Sequence, residues 1–317
     1  MSVRLQVLET VIAFALVVVL ANRLKRFGVV REEDGPLFAR LLTQAILPAT
    51  IFHQLLIHPV SARQFVLVAI MIAAGGAALA VAWLAARALR FDRPTTGALL
   101  LTSAFGSSAL VGYPLVQFAF PNDTQALTDA IITSELGVGL PLFTLGPLVA
   151  IHFGAASGAA ASLRTSFLDY LRSPIFIAVA AGLVAAQLDL PLDNPFLAPL
   201  LQALRMIDGA LTIVACLILG LQLSLGSLRG VWLLLLISAA VNMFFQPWCA
   251  GVLGQLLAVS GTQQHVLVLV AAMPSAILGP VFATRYDCAP KKASAIVFSH
   301  VVLSLATVPA VFSALAG

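Results

Sequence analysis

Long apolar runs dominate this chain and recur along its whole length. A helix of about 18 to 20 apolar residues crosses the roughly 30 Å hydrocarbon core of a bilayer. The composition agrees, because 61% of the residues are hydrophobic and only 9% are charged, whereas soluble domains carry about 25% charged residues. The sequence therefore predicts an all-α integral membrane protein.

The apolar runs predict ten transmembrane helices, or spans. They cover residues 7–22, 37–57, 64–88, 95–120, 126–151, 174–190, 196–222, 231–257, 264–284 and 293–315. The longest intervening segment, 152–173, is rich in small residues and is predicted to be a linker. It separates a first five-helix unit, residues 1–151, from a second, residues 174–317.

Lys and Arg are distributed unequally between the two sides of this arrangement. Fourteen of them lie in or beside the loops that follow odd-numbered spans, while Arg4 and Arg63 lie on the other side and Arg205 falls within a span. Cytoplasmic loops are enriched in Lys and Arg. We therefore expect both termini outside the cytoplasm and the linker inside. The same rule accounts for the net charge of +4, so no nucleic-acid partner is expected.

Five spans on each side of a cytoplasmic linker give the two units opposite orientations. Span 4 is interrupted by GSSALVGYP (106–114), and the corresponding span 9 is interrupted by MPSAILGP (273–280). Paired interruptions at corresponding positions of inverted repeats point to the binding site of a transporter. We expect two inverted five-helix repeats in which spans 4 and 9 are broken and cross.

A broken membrane helix exposes backbone groups that protein or cavity water must satisfy. The half-helix after the break presents free N–H groups and partial positive charge, which favour a carboxylate. We predict an organic-anion site in which these N–H groups grip the carboxylate, assisted by serine hydroxyls and Gln117. The candidate residues are Ser107, Ser108, Gly112, Tyr113, Pro114, Gln117, Pro274, Ser275 and Gly279. Single kinks, at Pro48, Pro141, Pro147 and Pro309, are ascribed to helix packing.

Ionisable residues inside spans are a second set of candidates, because burial in lipid is costly. Those assigned to ion coupling or ion pairing are Glu135, Arg205, Asp208 and His300. Arg205 and Asp208 are three residues apart and can neutralise each other on one helix face, as a structural pair or as part of the site. Glu135 is a candidate to carry a coupling proton. His300 either titrates near neutral pH or is a packing residue of the helix interior.

Signatures of soluble enzymes are missing from the sequence. It contains no P-loop, no GxGxxG after a strand, no HExxH and no GxSxG, which are the motifs of nucleotide-binding and common hydrolytic sites. Cys216, Cys249 and Cys288 are widely spaced and predict neither a metal site nor a disulfide framework. We expect a protein that is not an enzyme and needs no cofactor or metal.

Four stretches carry a resemblance that covers nearly the whole chain in order. They are LKRFGVVREEDGPLFARLLTQAILPATIF (24–52), with a Leu-Pro-Ala-x-x-Phe signature, GSSALVGYPL (106–115), with Gly-x-Pro, AMPSA (272–276) and FSHVVLSLATVP (298–309). Together they resemble the auxin efflux carrier family, which contains bacterial permeases and plant PIN-type carriers. The long cytoplasmic insertion of many plant carriers is missing, so the chain is closer to the compact bacterial type.

The resemblance implies two inverted five-helix repeats, with a scaffold of spans 1, 2, 6 and 7 and a transport domain of spans 3–5 and 8–10 that moves like an elevator. It also implies a carboxylate substrate, such as malonate or malate for the bacterial relatives and auxin for the plant ones. This sequence departs from the family where Ser107 replaces a frequent Asn and Ala109 a frequent Gly.

We expect a secondary transporter of a small mono- or dicarboxylate in the bacterial inner membrane, coupled to H+ or Na+ or uncoupled. A homodimer through spans 1, 2, 6 and 7 is a further expectation. The alternatives are a sodium-coupled symporter of the bile-acid type, an intramembrane hydrolase that uses a serine with His300 or His53, and a structural or receptor-like protein without flux.

Overall fold

The computed structural model describes residues 3–58, 61–123, 125–154, 168, 171–188, 195, 197–222, 231–259 and 261–315. These residues are almost entirely helical, and no β-strand occurs among them. Most of the predicted linker, with Arg164, lies outside the described residues, as does Arg229. The prediction of an all-helical chain is therefore confirmed for the part that the structure describes.

Sixteen α-helices are described, and we number them in chain order. They are α1 Val3–Arg26, α2 Gly35–Leu41, α3 Leu47–Ile57, α4 Ala62–Ala88, α5 Arg93–Ala104, α6 Tyr113–Ala119, α7 Ala126–Ser134, α8 Leu140–Phe153, α9 Pro174–Ala185, α10 Ala198–Asp208, α11 Leu211–Gln222, α12 Trp232–Ala239, α13 Gln246–Leu256, α14 Thr262–Ala271, α15 Leu278–Arg285 and α16 Pro290–Leu315.

Six continuous helical stretches are long and apolar enough to cross a membrane. They are Val7–Arg26, Ala62–Ala88, Ala126–Phe153, Ala198–Ile218, Trp232–Leu256 and Pro290–Leu315. Two shorter apolar helices, Ser108–Ala119 and Pro174–Ala185, accompany them. The protein is therefore a multi-pass membrane protein, as the sequence predicts.

Four of the longer helices are widened by a π-turn that ends just before a proline. These turns are Leu42–Ile46 before Pro48, Ser108–Gly112 before Pro114, Glu135–Gly139 before Pro141 and Ala240–Phe245 before Pro247. Proline lacks an N–H donor, and its ring collides with the carbonyl of the preceding turn. A widened turn accommodates both defects, so the helix continues through the proline.

The helices pack in two groups. In one group, α3 packs against α9 and α10, and α1 packs against α11. In the other, α4 contacts α5, α7 and α13, while α16 lies against α5 and α15. The groups meet where α1 contacts α6 and α16.

Candidate functional site

The two interrupted spans touch at their breaks. Between α5 and the π-turn that starts at Ser108, the chain is extended around Gly106, which forms an isolated antiparallel bridge with Ser275. The backbone N–H of Ser107 donates to the carbonyl of Pro274 at 2.6 Å. On the other side of the bridge, the N–H of Ala276 donates to the carbonyl of Phe105 at 2.7 Å. Each break therefore supplies backbone partners that the other has lost.

This pairing changes the expected use of the freed N–H groups. The N–H groups of Ser107 and Ala276 are occupied by carbonyls of the opposite break, so in this state neither points to a ligand. The reason is general: a backbone group in a low-dielectric interior is costly unless it is paired. The available N–H groups belong to the first turns of the half-helices that follow.

Two glycines allow the chains to approach closely at the crossing. A Cβ on Gly106 would lie 3.3 Å from the carbonyl oxygen of Met273, and one on Gly279 would lie 3.3 Å from the carbonyl oxygen of Leu101. Both distances are shorter than ordinary van der Waals contact. The glycine on each broken span thus packs against the backbone of the other span.

The first half-helix after the break begins at Ser108 and continues to Ala119. The first N–H groups of any helix have no partner inside it, and this end carries partial positive charge. Ser108 is only 2% exposed, and its Oγ has no hydrogen-bond partner among the described residues. A buried hydroxyl without a partner beside free N–H groups matches the donor set that a carboxylate requires.

Ser275 links the crossing to α16. Its hydroxyl hydrogen-bonds to the backbone carbonyl of Thr102, and its Oγ lies 2.7 Å from Nδ1 of His300. Thr102 lies in the last turn of α5, where the break removes its usual helical partner. Ser275 and His300 are completely buried.

Tyr113 contacts span 5. Its hydroxyl lies 2.5 Å from Oε1 of Glu135, and both side chains are buried. Glu135 is the first residue of the π-turn before α8. The two predicted candidates therefore form one pair, which lies behind the half-helix that starts at Ser108.

Three predicted residues have different positions from those expected. The break lies at residues 105–107, and Pro114 follows it in the first turn of α6, where a missing N–H is tolerated. Gly112 lies in the π-turn, packed against Met273. Gln117 is half-buried, nine residues and about 14 Å of helix beyond Ser108, so it lies outside the crossing.

Arg205 and Asp208 do not form the expected ion pair. Arg205 is exposed, whereas Asp208 is buried and accepts hydrogen bonds from Thr50 Oγ1 at 2.9 Å and Gln54 Nε2 at 3.3 Å. The rotation between positions three apart places one side chain outside and the other against α3. Asp208 thus belongs to the helix group that lacks the crossing.

A polar cluster lies beside the first break. Gln246 Nε2 donates to the carbonyl of Ala104, and Asn242 Nδ2 donates to Gln246 Oε1. Asn242 Oδ1 has no partner in the part of the chain that the structure describes. Ser238 joins Thr102 and Ser103 through hydroxyl contacts nearby (3.1 and 3.3 Å). The sequence signal was present, because Asn242 and Gln246 are four residues apart on a helix directly before Pro247.

A narrow apolar cleft separates α1 from the half-helix of span 4 and from α16. Phe14 and Val18 line it on one side, and Val111, Leu115 and Val308 line the other. The two helix groups meet along this apolar cleft.

Several apolar helices that span a membrane, with two interrupted helices joined backbone to backbone, define a polytopic protein of the transporter class. The family model described as "Membrane transport protein" matches residues 6–148 and 159–312. The chain belongs to that family, which confirms the resemblance to the auxin efflux carriers at the level of the family.

Two curated relatives match nearly end to end. An uncharacterized transporter of Methanothermobacter thermautotrophicus is 28% identical over 303 residues, covering 95% of this chain and 96% of the relative. An uncharacterized transporter of Methanocaldococcus jannaschii is 23% identical over 302 residues, covering 94% and 95%. Both relatives are archaeal transporters, which agrees with transmembrane transport and with a function that is not enzymatic.

Proposed function

We propose that this protein is a secondary transporter that moves a small organic anion, a mono- or dicarboxylate, by alternating access. The observation that carries the proposal is the crossing of the two breaks, with the buried Ser108 hydroxyl at the start of a half-helix and no partner for it. Irregular backbone at membrane depth is tolerated where it lines a cavity or is buried in protein.

The proposed architecture has ten spans in two inverted five-helix repeats, residues 1–151 and 174–317, joined by the linker 152–173. Six spans are the long helices above, and the others would be residues 35–57, 93–119, 174–185 and 262–285, counted through their breaks and turns. The corresponding positions of the two breaks, in the fourth and ninth of these, support the inversion.

The packing supports a scaffold and a moving domain. The group with α1, α3, α9, α10 and α11 corresponds to spans 1, 2, 6 and 7, and the group with α4 to spans 3–5 and 8–10. In an elevator-like movement the second group slides past the first and carries the crossing with it. The apolar cleft between α1 and α16 is part of the boundary along which this movement would take place.

The anion would be held by one end of the half-helix. Its carboxylate accepts hydrogen bonds from the Ser108 hydroxyl and the first-turn N–H groups, with Ser107 beside it. The partial charge of the helix terminus favours a negative ligand, and a charged acceptor strengthens each bond. Pro274, Ser275 and Gly279 form the opposite wall.

The decisive experiment reconstitutes the purified protein in liposomes and measures counterflow of labelled malonate, malate, lactate and indole-3-acetate. A thermal-shift screen of the same acids, with and without sodium and at two pH values, selects the substrate. Pro114→Ala and Pro274→Ala are expected to reduce exchange of the acid that the native protein carries. Unchanged exchange in both variants, or no exchange of any carboxylate by the native protein, would contradict the proposal.

A sodium-coupled symporter of the bile-acid type is the second candidate. The observation that favours it is the amide cluster beside the first break, where Asn242 Oδ1 is buried without a partner. Amide and backbone oxygens suit hard cations. Replacing sodium by choline in the counterflow and uptake assays separates the two, because only the symporter loses uptake.

A hydrolase is disfavoured by the geometry of its best serine–histidine pair. Ser275 contacts His300, but its hydroxyl also bonds to the Thr102 carbonyl, and the serine is fully buried. A nucleophile needs access to its substrate and a base that accepts its proton. A serine-directed fluorophosphonate is therefore expected to leave the protein unlabelled.

The bacterial inner membrane remains part of the proposal, as does a homodimer through the first helix group. Exposed apolar side chains on α9 and α10, among them Ile177, Val184 and Met206, offer either a lipid-facing surface or a subunit contact. Light scattering of the protein in nanodiscs measures the subunit number directly.

A further inference from the structure

His300 lies at the centre of its helix and at the centre of the crossing. It is the eleventh residue of α16, about 15 Å from the start of that 26-residue helix. Its ring is completely buried, with Nδ1 2.7 Å from Ser275 Oγ. Ser275 is adjacent to Pro274, whose carbonyl holds the Ser107 N–H. An anion at Ser107 and Ser108 therefore lies beside the Ser275–His300 pair.

Counting hydrogens assigns the donor in this pair. A serine hydroxyl has one hydrogen, and a backbone carbonyl only accepts. Because Ser275 hydrogen-bonds to the Thr102 carbonyl, it donates its hydrogen there and accepts a second bond from His300 Nδ1–H. A neutral ring that donates from Nδ1 carries a bare lone pair on Nε2. Nε2 has no hydrogen-bond partner among the described residues, and the backbone carbonyl of Leu235 lies beside the ring.

The bare Nε2 can take a proton without disturbing the crossing. The bonds from Nδ1 to Ser275 and from Ser275 to Thr102 remain the same in the neutral and the protonated ring. Protonation therefore adds a charge beside the anion site and moves no hydrogen bond. No other side chain contacting the crossing among the described residues combines a titratable group with an open acceptor atom in this way.

Other charged and titratable groups lie away from the ring. The elements packed against α16 are α1, α5, α12, α13, α14, α15 and the π-turn before α13. Their charged or titratable residues, together with the lysines of α16 itself, are Arg4, Glu9, Arg23, Lys25, Arg26, Arg93, Cys249, His265, Arg285, Lys291 and Lys292. Among those whose side chains the structure describes, none forms an ion pair with His300. The charge that could balance a protonated ring is the anion itself.

We propose that His300 Nε2 is the proton-binding site of this transporter and takes up one proton with each carboxylate that binds at the crossing. The proposal rests on the proposed transport of an organic anion. A buried charge without a partner is costly, so the ring is neutral in the empty site. A bound carboxylate supplies the opposite charge, and each ligand strengthens the binding of the other by the same factor.

Proton and anion then cross the membrane together, so a monocarboxylate moves as a neutral pair and a dicarboxylate with one net negative charge. The proton adds to the Nε2 lone pair from water on the side where the site is open. It leaves from the same atom, to water on the other side, after the anion has dissociated. The crossing itself keeps all its hydrogen bonds throughout the cycle.

The test compares two assays in proteoliposomes with labelled malonate and malate. Counterflow without a gradient measures movement of the anion, and uptake driven by an inward pH gradient measures coupling. His300→Asn keeps an N–H donor at the position of Nδ1 but has no titratable nitrogen. It should exchange the anion only at higher anion concentrations, because the proton no longer strengthens anion binding, and it should lose the roughly tenfold accumulation that one pH unit drives for one proton at zero membrane potential.

His53→Asn is the matched control. His53 is also a buried histidine whose ring nitrogens have no hydrogen-bond partner among the described residues, but it lies on α3, in the other helix group. Its variant should keep both counterflow and accumulation. In the native protein, the affinity for malate should rise about tenfold for each unit by which the pH falls between 8.5 and 6.5, and it should be independent of pH in His300→Asn.

Several outcomes would overturn the proposal. Accumulation that persists in His300→Asn, or that is lost in Glu135→Gln instead, would place the proton elsewhere. Counterflow without any proton-linked accumulation in the native protein would refute coupling and leave the proposed transport intact. If His300→Asn fails to fold, a malate affinity of the native protein that does not change with pH refutes the inference. No carboxylate exchange at all would overturn both proposals.

Discussion

The Ser108 side chain lowers the stability of the fold and offers a hydrogen-bond donor to a ligand. Its hydroxyl is buried without a partner, a state that costs about 1 to 3 kcal/mol. A chain that only had to pack would place alanine there. The unpaired donor at a helix start is what an anion site requires.

Ser108→Ala should therefore separate binding from folding. Removing an unpaired hydroxyl leaves the thermal midpoint equal or slightly higher, whereas losing a bond to a charged ligand weakens binding about tenfold or more. Thermal unfolding and the concentration dependence of counterflow measure the two effects. Ser299→Ala is the control, because that hydroxyl bonds within α16, to Ala295. An unchanged affinity in Ser108→Ala would remove this serine from the site.

Gly279 and Gly76 offer a matched pair of glycine substitutions. A Cβ on Gly279 would lie 3.3 Å from the Leu101 carbonyl, whereas one on Gly76 meets no atom within 4 Å. Gly279→Ala should lower stability by about 1 to 3 kcal/mol through overpacking and reduce counterflow. Gly76→Ala should leave stability equal or raise it by up to about 1 kcal/mol. Equal melting temperatures for the two variants would show that Gly279 is not packed tightly against the Leu101 carbonyl.

At the scale of elements, proline decides the shape of four helices. Each π-turn ends just before a proline, as in Glu135–Gly139 before Pro141. The sequence predicted packing kinks at Pro48 and Pro141 and a break at Pro114. The structure shows a widened but continuous helix at all three. The chain breaks instead at residues 105–107, where another strand of backbone replaces the lost partners.

Asp208 joins α10 to α3, and this role can be distinguished from ion coupling. Asp208→Ala leaves Thr50 and Gln54 without their acceptor and should cost about 1 to 3 kcal/mol. Asp208→Asn keeps an acceptor and should cost less, with uptake driven by the pH gradient intact. Melting temperature and accumulation are measured on the same preparations. Loss of accumulation in Asp208→Asn at normal stability would assign the coupling to this carboxyl.

At the scale of the whole molecule, the charge distribution predicts which loops face the cytoplasm. Asp92 precedes α5 and Asn122 follows α6, so span 4 separates them if it crosses the membrane despite its break. In a background with Cys216, Cys249 and Cys288 changed to alanine, an impermeant maleimide should label Asn122→Cys on intact cells. Asp92→Cys should react only after permeabilisation.

The labelling experiment also tests the number of spans. If both cysteines react from the same side, the broken segment is a re-entrant hairpin, and the ten-span arrangement is wrong. Asp92 and Asn122 are both exposed, so a difference in labelling reports their side of the membrane and not burial. The expected result would fix the orientation of the first repeat.

The general architecture could be predicted because the lipid bilayer constrains the backbone of each apolar segment independently of the other segments. Apolar runs must become helices in lipid, where no water satisfies the backbone. The two interruptions, around Gly106 and Ser275, were visible for the same reason: glycine, serine and proline are the residues that weaken a helix wherever they occur. Their meeting point was expected from the repeat, and the bridge joins these residues.

The sequence by itself determined that this chain lies in a membrane, belongs among transporters and carries two weak points in matching positions. Only the tertiary structure decided which polar groups pair. Tyr113 hydrogen-bonds to Glu135, Asp208 to Thr50, and Ser275 to His300. These partners lie 22 to 158 residues apart, and periodicity along one helix contains no information about the neighbour that covers it. Whether two buried polar groups form a hydrogen bond depends on their positions within a few tenths of an ångström. These positions are set by the packing of the whole molecule.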